Sequence, residues 1–423
     1  MNNPNNPQDI IICNPKRTPV GRYGGAFVGV PVQELAATAV KAVIADAGIS
    51  GDVVDDVILG QAAPNGAAPA LGRVVALDAG LGVNVPGMQL DRRCGSGLQA
   101  VATAAAHIAS GAADLIIAGG AESMSSTEYT VDGDIRWGVK GGTMEFKDRL
   151  QEAREQAGGK HHPIPGGMIE TAENLRQEYS ISRERQDKLA AASHARAAAA
   201  QENGDFDAEI VPVAVPQRKG DPVEVTADEG IRPDTTTESL ATLRPAFSKD
   251  GTITAGNASG VNDGAAAMIL ASAEAVQKYG LKPRARVLGM ATAGVPPRIM
   301  GIGPAPATRK VLAQTGLTLD QMDVIELNEA FAAQVLPSAE DLGIPLDKLN
   351  VNGGAIALGH PWGMTGARIT ATLLNSLREH DKHIGLETMC VGGGMGIATI
   401  IERVSAHTPL FFRDKHETSQ EKQ

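Results

Sequence analysis

Aromatic residues are scarce in this chain, since Phe, Trp and Tyr together make up 3% of its 423 residues. The hydrophobic core must therefore be built mainly from aliphatic side chains, which supply most of the 43% of residues that are hydrophobic. Glycine is abundant, with 49 residues, which favours tight turns and close approaches of the backbone. This composition is typical of a globular α/β protein and excludes a fibrous or disordered chain. At this length we expect two or three closely packed subdomains.

Cysteine, basic charge and long apolar runs are also limited. The three cysteines, at positions 13, 94 and 390, are too few and too far apart for a disulfide framework, which favours a reducing cytoplasm. The net charge is −11 and no long basic run occurs, which argues against nucleic acid or a membrane surface as a partner. No apolar run could span a membrane, and residues 1–8 lack the features of a signal peptide. An anionic ligand would have to be bound by a few individual arginines or lysines.

Strand and helix patterns alternate at both ends of the chain. Helical spacing of apolar residues predicts a helix at Val32–Ala47 that ends at Gly48, and an alanine-rich helix at 97–108. Short apolar runs predict strands at 9–13, 57–59, 115–118, 209–215, 266–270, 285–290, 323–327 and 398–401. The β-α-β order of the elements up to residue 118 predicts parallel-sheet character in that part of the chain. Residues 124–258 differ, with a polar, glycine-rich stretch that contains His161 and His162, followed by a helix whose predicted N-cap is Ser182. We interpret this block as an insertion that covers a site.

One succession of elements occurs twice. In each copy a strand leads to a glycine-rich turn with one reactive side chain, then to a helix of small residues and a further strand. The first turn contains Cys94. The second contains His360, between a strand predicted at 349–352 and a helix predicted at 365–377. We therefore predict an internal duplication in which Cys94 and His360 face each other.

Cys94 lies in the segment DRRCGSG at 91–97, just before a predicted helix. Because the free N–H groups and the dipole of a helix N-terminus stabilise a thiolate, we predict that the pKa of Cys94 is lowered. From this segment alone, a buried structural cysteine is an equally good interpretation.

Three further segments contain residue types suited to acyl chemistry. His360, in NGGAIALGHP at 352–361, can take a proton from a thiol and then stabilise an oxyanion, although backbone carbonyls could equally satisfy it. Cys390, in MCVGGGMG at 389–396, is followed by backbone N–H groups that suit an oxyanion hole, but a glycine run is often only a loop. Asn328, in NEAFA at 328–332, can hold a water or a carbonyl, or merely cap the next helix.

Together these four segments resemble the thiolase family, and the resemblance extends from about residue 10 to residue 404. It includes RTPVGR at 17–22, AGGAESM at 118–124 and TAGNASG at 254–260. The resemblance implies an α/β thiolase fold, with two duplicated βαβ-type halves in a layered α-β-α-β-α arrangement and an inserted loop domain. It implies these domains: 1–123 with 262–282 as the N-terminal half, 124–261 as a loop domain over the CoA site, 283–404 as the C-terminal half, and 405–423 as a flexible tail.

The resemblance implies an acyltransferase that reversibly cleaves 3-oxoacyl-CoA with CoA, giving acetyl-CoA and a shortened acyl-CoA. Cys94 is implied as the nucleophile that carries the acyl group, and His360 as the residue that activates it. Cys390 is implied as the acid and base for the second reactant. Asn328 would orient a water in one oxyanion hole, and the N–H groups of Cys94 and Gly392 would form the other.

CoA and acyl-CoA are implied as substrates, with no permanently bound cofactor and no metal. Residues implied to contact CoA or to line the thioester pocket are Met168, Arg232, Ser239, Ala258, Ser259, Met300 and Phe331. Arg232 would supply the positive charge that a phosphate-bearing ligand requires. The third thiol, Cys13, is expected to take no part in the chemistry.

Two positions depart from the family pattern. Biosynthetic members with small substrates often have His before the pocket methionine, whereas Gly167 precedes Met168 here, which predicts room for longer or branched acyl groups. Trp362 follows the His-Pro pair where an aliphatic residue is usual, and the sequence offers no account of it. Segments 231–236 and 241–245 resemble degradative members, so a degradative role is the first expectation, with fatty-acid β-oxidation, aromatic breakdown and sterol breakdown left open as pathways. Condensation of two acetyl-CoA to acetoacetyl-CoA is the alternative.

Two other classes within the fold are less compatible with these residues. A decarboxylating condensing enzyme would need a Cys-His-His set, whose places are taken by Asn328 and Cys390. A non-enzymatic lipid carrier should have lost Cys94, His360 or Cys390, yet all three are present. Segment 137–142 resembles the tetramerisation region of the family, so we expect a cytoplasmic homodimer or homotetramer that binds neither nucleic acid nor membranes.

Overall fold

The computed structural model describes residues 8–139, 141–405 and 407–412. The strands are β1 Ile10–Arg17, β2 Gly21–Arg22, β3 Asp56–Gly60, β4 Gly87–Leu90, β5 Leu115–Ser123, β6 Tyr129–Thr130, β7 Lys147–Asp148, β8 Val213–Val215, β9 Val223–Val225, β10 Asn262–Ser272, β11 Pro283–Gly294, β12 Val324–Leu327, β13 Ile384–Val391 and β14 Met395–Arg403. The α-helices are α1 Val32–Ala47, α2 Leu71–Asp78, α3 Ser96–Ser110, α4 Arg149–Glu155, α5 Gly167–Glu178, α6 Arg183–Asn203, α7 Thr237–Ala241, α8 Ala273–Tyr279, α9 Pro304–Thr315, α10 Ala332–Leu342, α11 Ala355–Leu358 and α12 Trp362–Glu379. Within these ranges, no helix is both long enough and apolar enough to cross a membrane.

A large mixed sheet runs in the order β12-β13-β14-β11-β1-β10-β5-β3-β4, with β2 paired to β10. The antiparallel contact of β1 with β11 joins two halves that have the same pairing pattern. In the first half β3 is parallel to β4 and β5, and β10 is antiparallel to β5 and β1. In the second half β12 is parallel to β13, and β14 is antiparallel to β13 and β11. The repeated pattern confirms the predicted duplication.

The outermost position of the second half differs from the prediction. Where the first half has strand β4, the second has an isolated parallel bridge between Ile325 and Leu349. The strand predicted at 349–352 is therefore wrong, because the chain turns away after a single bridging residue.

Alternate residues of the strands face different hydrophobic layers. Ile11 and Cys13 of β1 pack in one cluster with α1 and α2. Ile10 and Ile12, on the other face of the strand, point to the centre of the molecule, where α3 and α12 lie. A third cluster, which includes Val311 of α9, covers the far face of the C-terminal strands. The layers therefore follow the order helix, sheet, helix, sheet, helix, as predicted.

The two central helices approach each other closely at glycine positions. A Cβ atom on Gly97 of α3 would lie 2.7 Å from the carbonyl oxygen of Gly363, and one on Gly366 of α12 would lie 2.3 Å from a backbone nitrogen of α3. No larger side chain fits there without a shift of the backbone. Because Cys94 precedes α3 and His360 precedes α12, this close contact brings the two reactive turns together.

The block between the halves consists of short elements that surround one long helix. Ser182 caps α6 as predicted, since its hydroxyl accepts the backbone N–H of Arg185. The strand predicted at 209–215 begins only at Val213. His161 and His162 are exposed.

The predicted flexible tail is partly packed. The backbone N–H of Asp9 donates to the carbonyl of Phe411 at 2.9 Å, and the Arg286 guanidinium lies 5.5 Å from the Phe411 ring. These contacts tie residue 411 to the start of β1. Residues 413–423, Lys140 in the segment expected to form tetramers, and residues 1–7 at the N-terminus lie outside the described residues.

Candidate active site

Cys94 lies in a tight turn between β4 and α3. Arg93 adopts a left-handed backbone conformation with a φ of 51°, which is uncommon for a residue with a side chain. Ser96 supports the turn: its hydroxyl accepts the N–H of Arg92 at 2.9 Å and donates to the carbonyl of Arg93 at 2.6 Å. The first helical residue is Ser96, so the cysteine comes just before the helix, as the sequence predicted.

The electrostatic environment of Cys94 differs from the prediction. Burial, the largest effect, raises the pKa of the thiol, while the N–H groups of Gly392 and of Cys94 itself and the charge of Arg93 oppose this. The predicted lowering of the pKa is wrong in sign because these groups do not offset the loss of water around the sulfur. Cys94 is therefore a neutral thiol at neutral pH and requires a base to become a nucleophile.

A turn that only glycine can form holds the Gly392 N–H at the sulfur. Gly393 and Gly394, which join β13 to β14, have φ values of 92° and 85°. A Cβ atom on Gly394 would lie 2.2 Å from the carbonyl oxygen of Val295. The glycine run is thus a requirement of local packing, and it fixes the position of the N–H group that contacts Cys94.

His360 is buried in the turn before α12, with its tautomer set by Thr365. The ring Nδ1 lies 2.7 Å from the Thr365 hydroxyl, and that hydroxyl donates to the carbonyl of Pro361 at 2.8 Å. A hydroxyl has only one proton, so Thr365 must accept its second bond from Nδ1–H. Nε2 then carries the lone pair, and it has no hydrogen-bond partner among the described residues.

The ring of His360 is held neutral. Burial, and then the positive charge of Arg368, lower the pKa of His360 to about 3. Its backbone is fixed from β10, because the N–H of His360 donates to the Asn262 side-chain oxygen at 2.9 Å. A neutral ring with a free Nε2 is suited to accept the proton of a thiol.

Cys94, His360 and Cys390 line one cavity of about 430 Å³. Cys390 is the penultimate residue of β13, and burial, together with the neighbouring Cys94, raises the pKa of its thiol. Five of the residues expected to contact CoA or the thioester also line this cavity: Met168, Ala258, Ser259, Met300 and Phe331. The structure thus brings together reactive residues from three distant segments of the chain.

Asn328 directly follows β12 and is 1% exposed. Its backbone N–H donates to the carbonyl of Thr388 at 3.0 Å, but neither its side-chain oxygen nor its side-chain nitrogen has a partner in the part of the chain that the structure describes. Leaving a buried polar group unsatisfied costs about 1–3 kcal/mol. Such an amide suits a site in which water or substrate supplies the partner.

A second cavity of about 400 Å³ contains Arg232. It shares the walls formed by Ala255, Ala258, Gly260 and Val261 with the cavity that Cys94 lines. Ser239 lines neither cavity, and its hydroxyl is engaged with Thr236 in the cap of α7. Six of the seven residues expected to contact CoA or the thioester therefore border these two spaces, and Ser239 does not.

Several residues around the site were not found from the sequence. Thr365 and Asn262 hold His360, and their only sequence signal is that each lies close to a recognised motif. Arg154 of α4 also lines the cavity of Cys94, and its guanidinium lies 5.5 Å from the centre of the Trp362 ring. This contact provides the account of Trp362 that the sequence lacked. No cluster of His, Cys, Asp and Glu suited to a metal occurs among the residues described.

Known proteins match this chain over most of its length. The model of the thiolase N-terminal domain matches residues 10–274, and that of the thiolase C-terminal domain matches residues 281–403. The chain is 49% identical over 406 residues to a beta-ketoadipyl-CoA thiolase of Pseudomonas aeruginosa, covering 94% of this chain and 100% of the relative. It is 47% identical over 396 residues to an acetyl-CoA acetyltransferase of Chromobacterium violaceum, covering 93% and 100%.

Two solved structures share the fold. The acetyl-CoA acetyltransferase of Bacillus anthracis aligns with a TM-score of 0.90 and 43% identity, and human mitochondrial 3-ketoacyl-CoA thiolase with a TM-score of 0.89 and 40% identity. Each alignment covers 94% of this chain and 99% of the other. The chain belongs to the thiolase family. It is accordingly an acyltransferase with thiolase activity on CoA thioesters.

Proposed function

We propose that this enzyme cleaves 3-oxoacyl-CoA with CoA, and that Cys94 is the nucleophile. The observation that carries the proposal is the shared cavity of Cys94, His360 and Cys390, with two backbone N–H groups at the Cys94 sulfur. Nε2 of His360 accepts the Cys94 proton as the sulfur attacks the 3-oxo carbonyl. The bond between C2 and C3 then breaks, and Cys390 donates its proton to the departing acetyl-CoA enolate.

The second half-reaction restores the enzyme. The thiol of an incoming CoA gives its proton to Cys390, and the resulting thiolate attacks the acyl group on Cys94. The released Cys94 thiolate recovers its proton from His360. Both thiols and the imidazole are neutral at rest, so charge develops only during the reaction, where oriented N–H groups are most effective.

We assign the stabilisation of this charge to two groups of donors. The N–H groups of Cys94 and Gly392 face the oxyanion of the thioester on Cys94. Asn328 orients a water toward the second oxyanion, a role supported by its buried, unpartnered amide.

The two cavities suggest where CoA lies. Arg232, in the cavity of about 400 Å³, would bind the phosphates, and Ala258, in the wall that both cavities share, and Ser259, in the wall of the Cys94 cavity, would contact the pantetheine arm. Met168, Met300 and Phe331 would line the thioester end of this path. Ser239 would contact CoA only outside both cavities.

Acylation by acetyl-CoA tests the nucleophile. After brief exposure to acetyl-CoA, mass spectrometry should find the acetyl group on the peptide that contains Cys94. Cys94→Ala should remain unlabelled, and Cys13→Ala, the matched control, should label like the wild type. If Cys94→Ala became acylated to the wild-type extent, the assignment of the nucleophile would be wrong.

The acetoacetyl-forming direction is the alternative, supported by relatives named acetyl-CoA acetyltransferase. The same residues serve it, with Cys390 removing the α-proton of acetyl-CoA. Degradation is favoured by Gly167, which lacks the side chain expected in members with small substrates. The space that a side chain at Gly167 would occupy is already narrowed by Arg154, because a Cβ atom on Gly167 would lie 3.2 Å from Cβ of Arg154. A strong preference in kcat/KM for acetoacetyl-CoA over longer substrates would favour the alternative.

We also propose a homodimer, or a homotetramer assembled through the stretch near segment 137–142. Trp137 is 84% exposed and Phe146 70% exposed, and large apolar side chains at the surface suit an interface. Sedimentation would contradict this proposal if it gave the mass of a single chain.

The domain boundaries predicted from the sequence, the cytoplasmic location and a place in fatty-acid β-oxidation remain proposals of the same kind. Cell fractionation and limited proteolysis test the location and the boundaries.

A further inference from the structure

Arg232, to which the proposed function assigns the phosphates of CoA, lies at the end of residues 228–232, which we call the arginine segment. The side chain of Arg232 is exposed and lines the cavity of about 400 Å³. It has no hydrogen-bond or ion-pair partner among the residues that the structure describes. No contact in that part of the chain fixes the guanidinium, so its position depends on the backbone from which it extends.

The start and the middle of the arginine segment are fixed by buried contacts. Arg17 of β1 is fully buried and donates two parallel hydrogen bonds to the carboxylate of Asp228, at 2.7 Å and 3.0 Å. The same carboxylate accepts the backbone N–H of Val20 at 2.7 Å. Gly230 packs against α11, because a Cβ atom on it would lie 2.5 Å from the carbonyl oxygen of Ala357. The segment therefore has a defined path up to the residue before Ile231.

The end of the arginine segment is held by His194 of α6. The backbone N–H of Arg232 donates to Nδ1 of His194 at 3.2 Å. A ring nitrogen that accepts a hydrogen bond carries no proton, so the proton of the neutral ring is on Nε2. Burial, and then the positive charge of Arg232, lower the pKa of His194 to about 4. The ring is therefore neutral at neutral pH, and Nδ1 remains an acceptor.

The other nitrogen of the His194 ring has no use in the packing. The side chain is 1% exposed, and Nε2 has no hydrogen-bond partner within the described ranges. An unsatisfied buried donor lowers stability, and an apolar side chain of similar size would avoid this loss. His194 lines neither the cavity of Cys94 nor that of Arg232, so it does not contact a substrate there. The hydrogen bond at Nδ1 is the contact that accounts for a histidine at this position.

We propose that His194 is a positioning residue for CoA, because its bond to the backbone of Arg232 holds the guanidinium where it meets the phosphates. The inference rests on the proposed function, which places those phosphates at Arg232. Hydrogen bonds from a guanidinium to phosphate oxygens are directional, so the arginine must start from the correct place. A backbone fixed before CoA arrives also reduces the conformational entropy that binding would otherwise cost.

The test compares CoA with pantetheine as the acceptor thiol, with acetoacetyl-CoA as the acyl donor at saturation. Pantetheine has the thiol arm of CoA but no phosphate, and in a ping-pong reaction kcat/KM for the acceptor reports the second half-reaction alone. His194→Leu removes the acceptor and should lower kcat/KM for CoA by roughly 5- to 50-fold, while that for pantetheine stays within about twofold. His194→Asn places a carbonyl oxygen near the position of Nδ1 and should restore most of the value for CoA.

Gln186→Leu is the matched control, since it also replaces a buried polar side chain of α6 with leucine. The Gln186 amide donates to the hydroxyl of Thr252 at 2.9 Å, and not to the arginine segment. This variant should lose stability but keep the wild-type ratio of kcat/KM for the two thiols. Active sites are counted by acetylation of Cys94, so that a misfolded fraction does not lower kcat/KM. If His194→Leu does not fold, His194→Phe, which keeps a ring without the acceptor, replaces it.

Equal losses for CoA and pantetheine in His194→Leu, or no loss for either thiol, would overturn the inference and leave the proposed function intact. Failure of His194→Asn to recover the value for CoA would also overturn it. Arg232→Ala should lower kcat/KM for CoA at least as much as His194→Leu does. If Arg232→Ala spared CoA, the phosphates would lie elsewhere, and the inference would fall while thiolysis stood. A wild-type enzyme that cleaves acetoacetyl-CoA with neither thiol would refute the proposed function itself.

Discussion

The hydroxyl of Thr365 controls which nitrogen of His360 is free, and its removal is the sharpest test of the proposed base. In Thr365→Val the side chain keeps its shape but loses two bonds, at 2.7 Å to Nδ1 and 2.8 Å to the Pro361 carbonyl. Thr365 is fully buried, so no water reaches these groups easily. An unsatisfied buried group costs about 1–3 kcal/mol, and we expect the free energy of unfolding to fall by that amount.

The loss of activity follows from the same bond. If the bond to Thr365 holds the ring in the productive tautomer, its removal should lower kcat/KM by roughly 5- to 160-fold, since the loss is about 1–3 kcal/mol and each 1.36 kcal/mol corresponds to a factor of ten. Thiolysis of acetoacetyl-CoA, followed by the absorbance of its enolate, measures this change. The rate of Cys94 alkylation by iodoacetamide should fall in parallel, which a purely structural effect on folding would not produce in the folded fraction.

Thr365→Ser is the matched control, because it keeps the hydroxyl and loses only a methyl group. It should retain most of the activity. If Thr365→Val kept wild-type kcat/KM while its stability fell, the tautomer of His360 would not depend on this hydroxyl, and the reasoning would be refuted.

Three further predictions address the glycine turn, the buried histidine and the third thiol. Gly394→Ala should abolish activity and lower the free energy of unfolding by at least about 3 kcal/mol, because the added Cβ atom would collide with the carbonyl oxygen of Val295. The control is Gly316→Ala, also at positive φ but with open space around it, which should lower the free energy of unfolding by only about 1 kcal/mol in thermal or urea unfolding. Equal losses in the two variants would contradict the packing argument. The pKa of His360 is about 3 when folded against 6.5 ordinarily, so only the unfolded chain binds this proton as pH falls from 6.5 toward 3, and stability is lost over that window. His360→Gln should therefore reduce the slope of the unfolding free energy against pH, measured by urea titrations, by up to about 1.4 kcal/mol per pH unit. His194, whose pKa is about 4, should still contribute to the remaining slope. An unchanged slope would show that His360 is not held neutral. Cys13→Ala should leave kcat/KM unchanged and lower only stability, since burial in the outer layer raises the pKa of Cys13 to about 12; a loss of turnover would contradict its purely structural role.

Local patterns were sufficient for much of the fold. The apolar periodicity of α1 and the αL glycine that ends it, and the serine cap of α6, depend on residues close in sequence, and these elements formed as predicted. The strand predicted at 349–352 did not form, and only a single bridge at Leu349 is present. A short apolar run does not show whether a neighbouring strand stays alongside it.

By itself the sequence determined the family and predicted a set of reactive residues, because the motifs around Cys94, His360, Cys390 and Asn328 are local. Tertiary structure decided how these residues are tuned. The pKa of Cys94 is raised, contrary to the prediction, since burial depends on layers built from both halves of the chain. For the same reason, the partner of Trp362 became visible only when α4, more than two hundred residues earlier, was placed beside it. Burial and long-range contacts are properties of the assembled layers, and no single segment contains them.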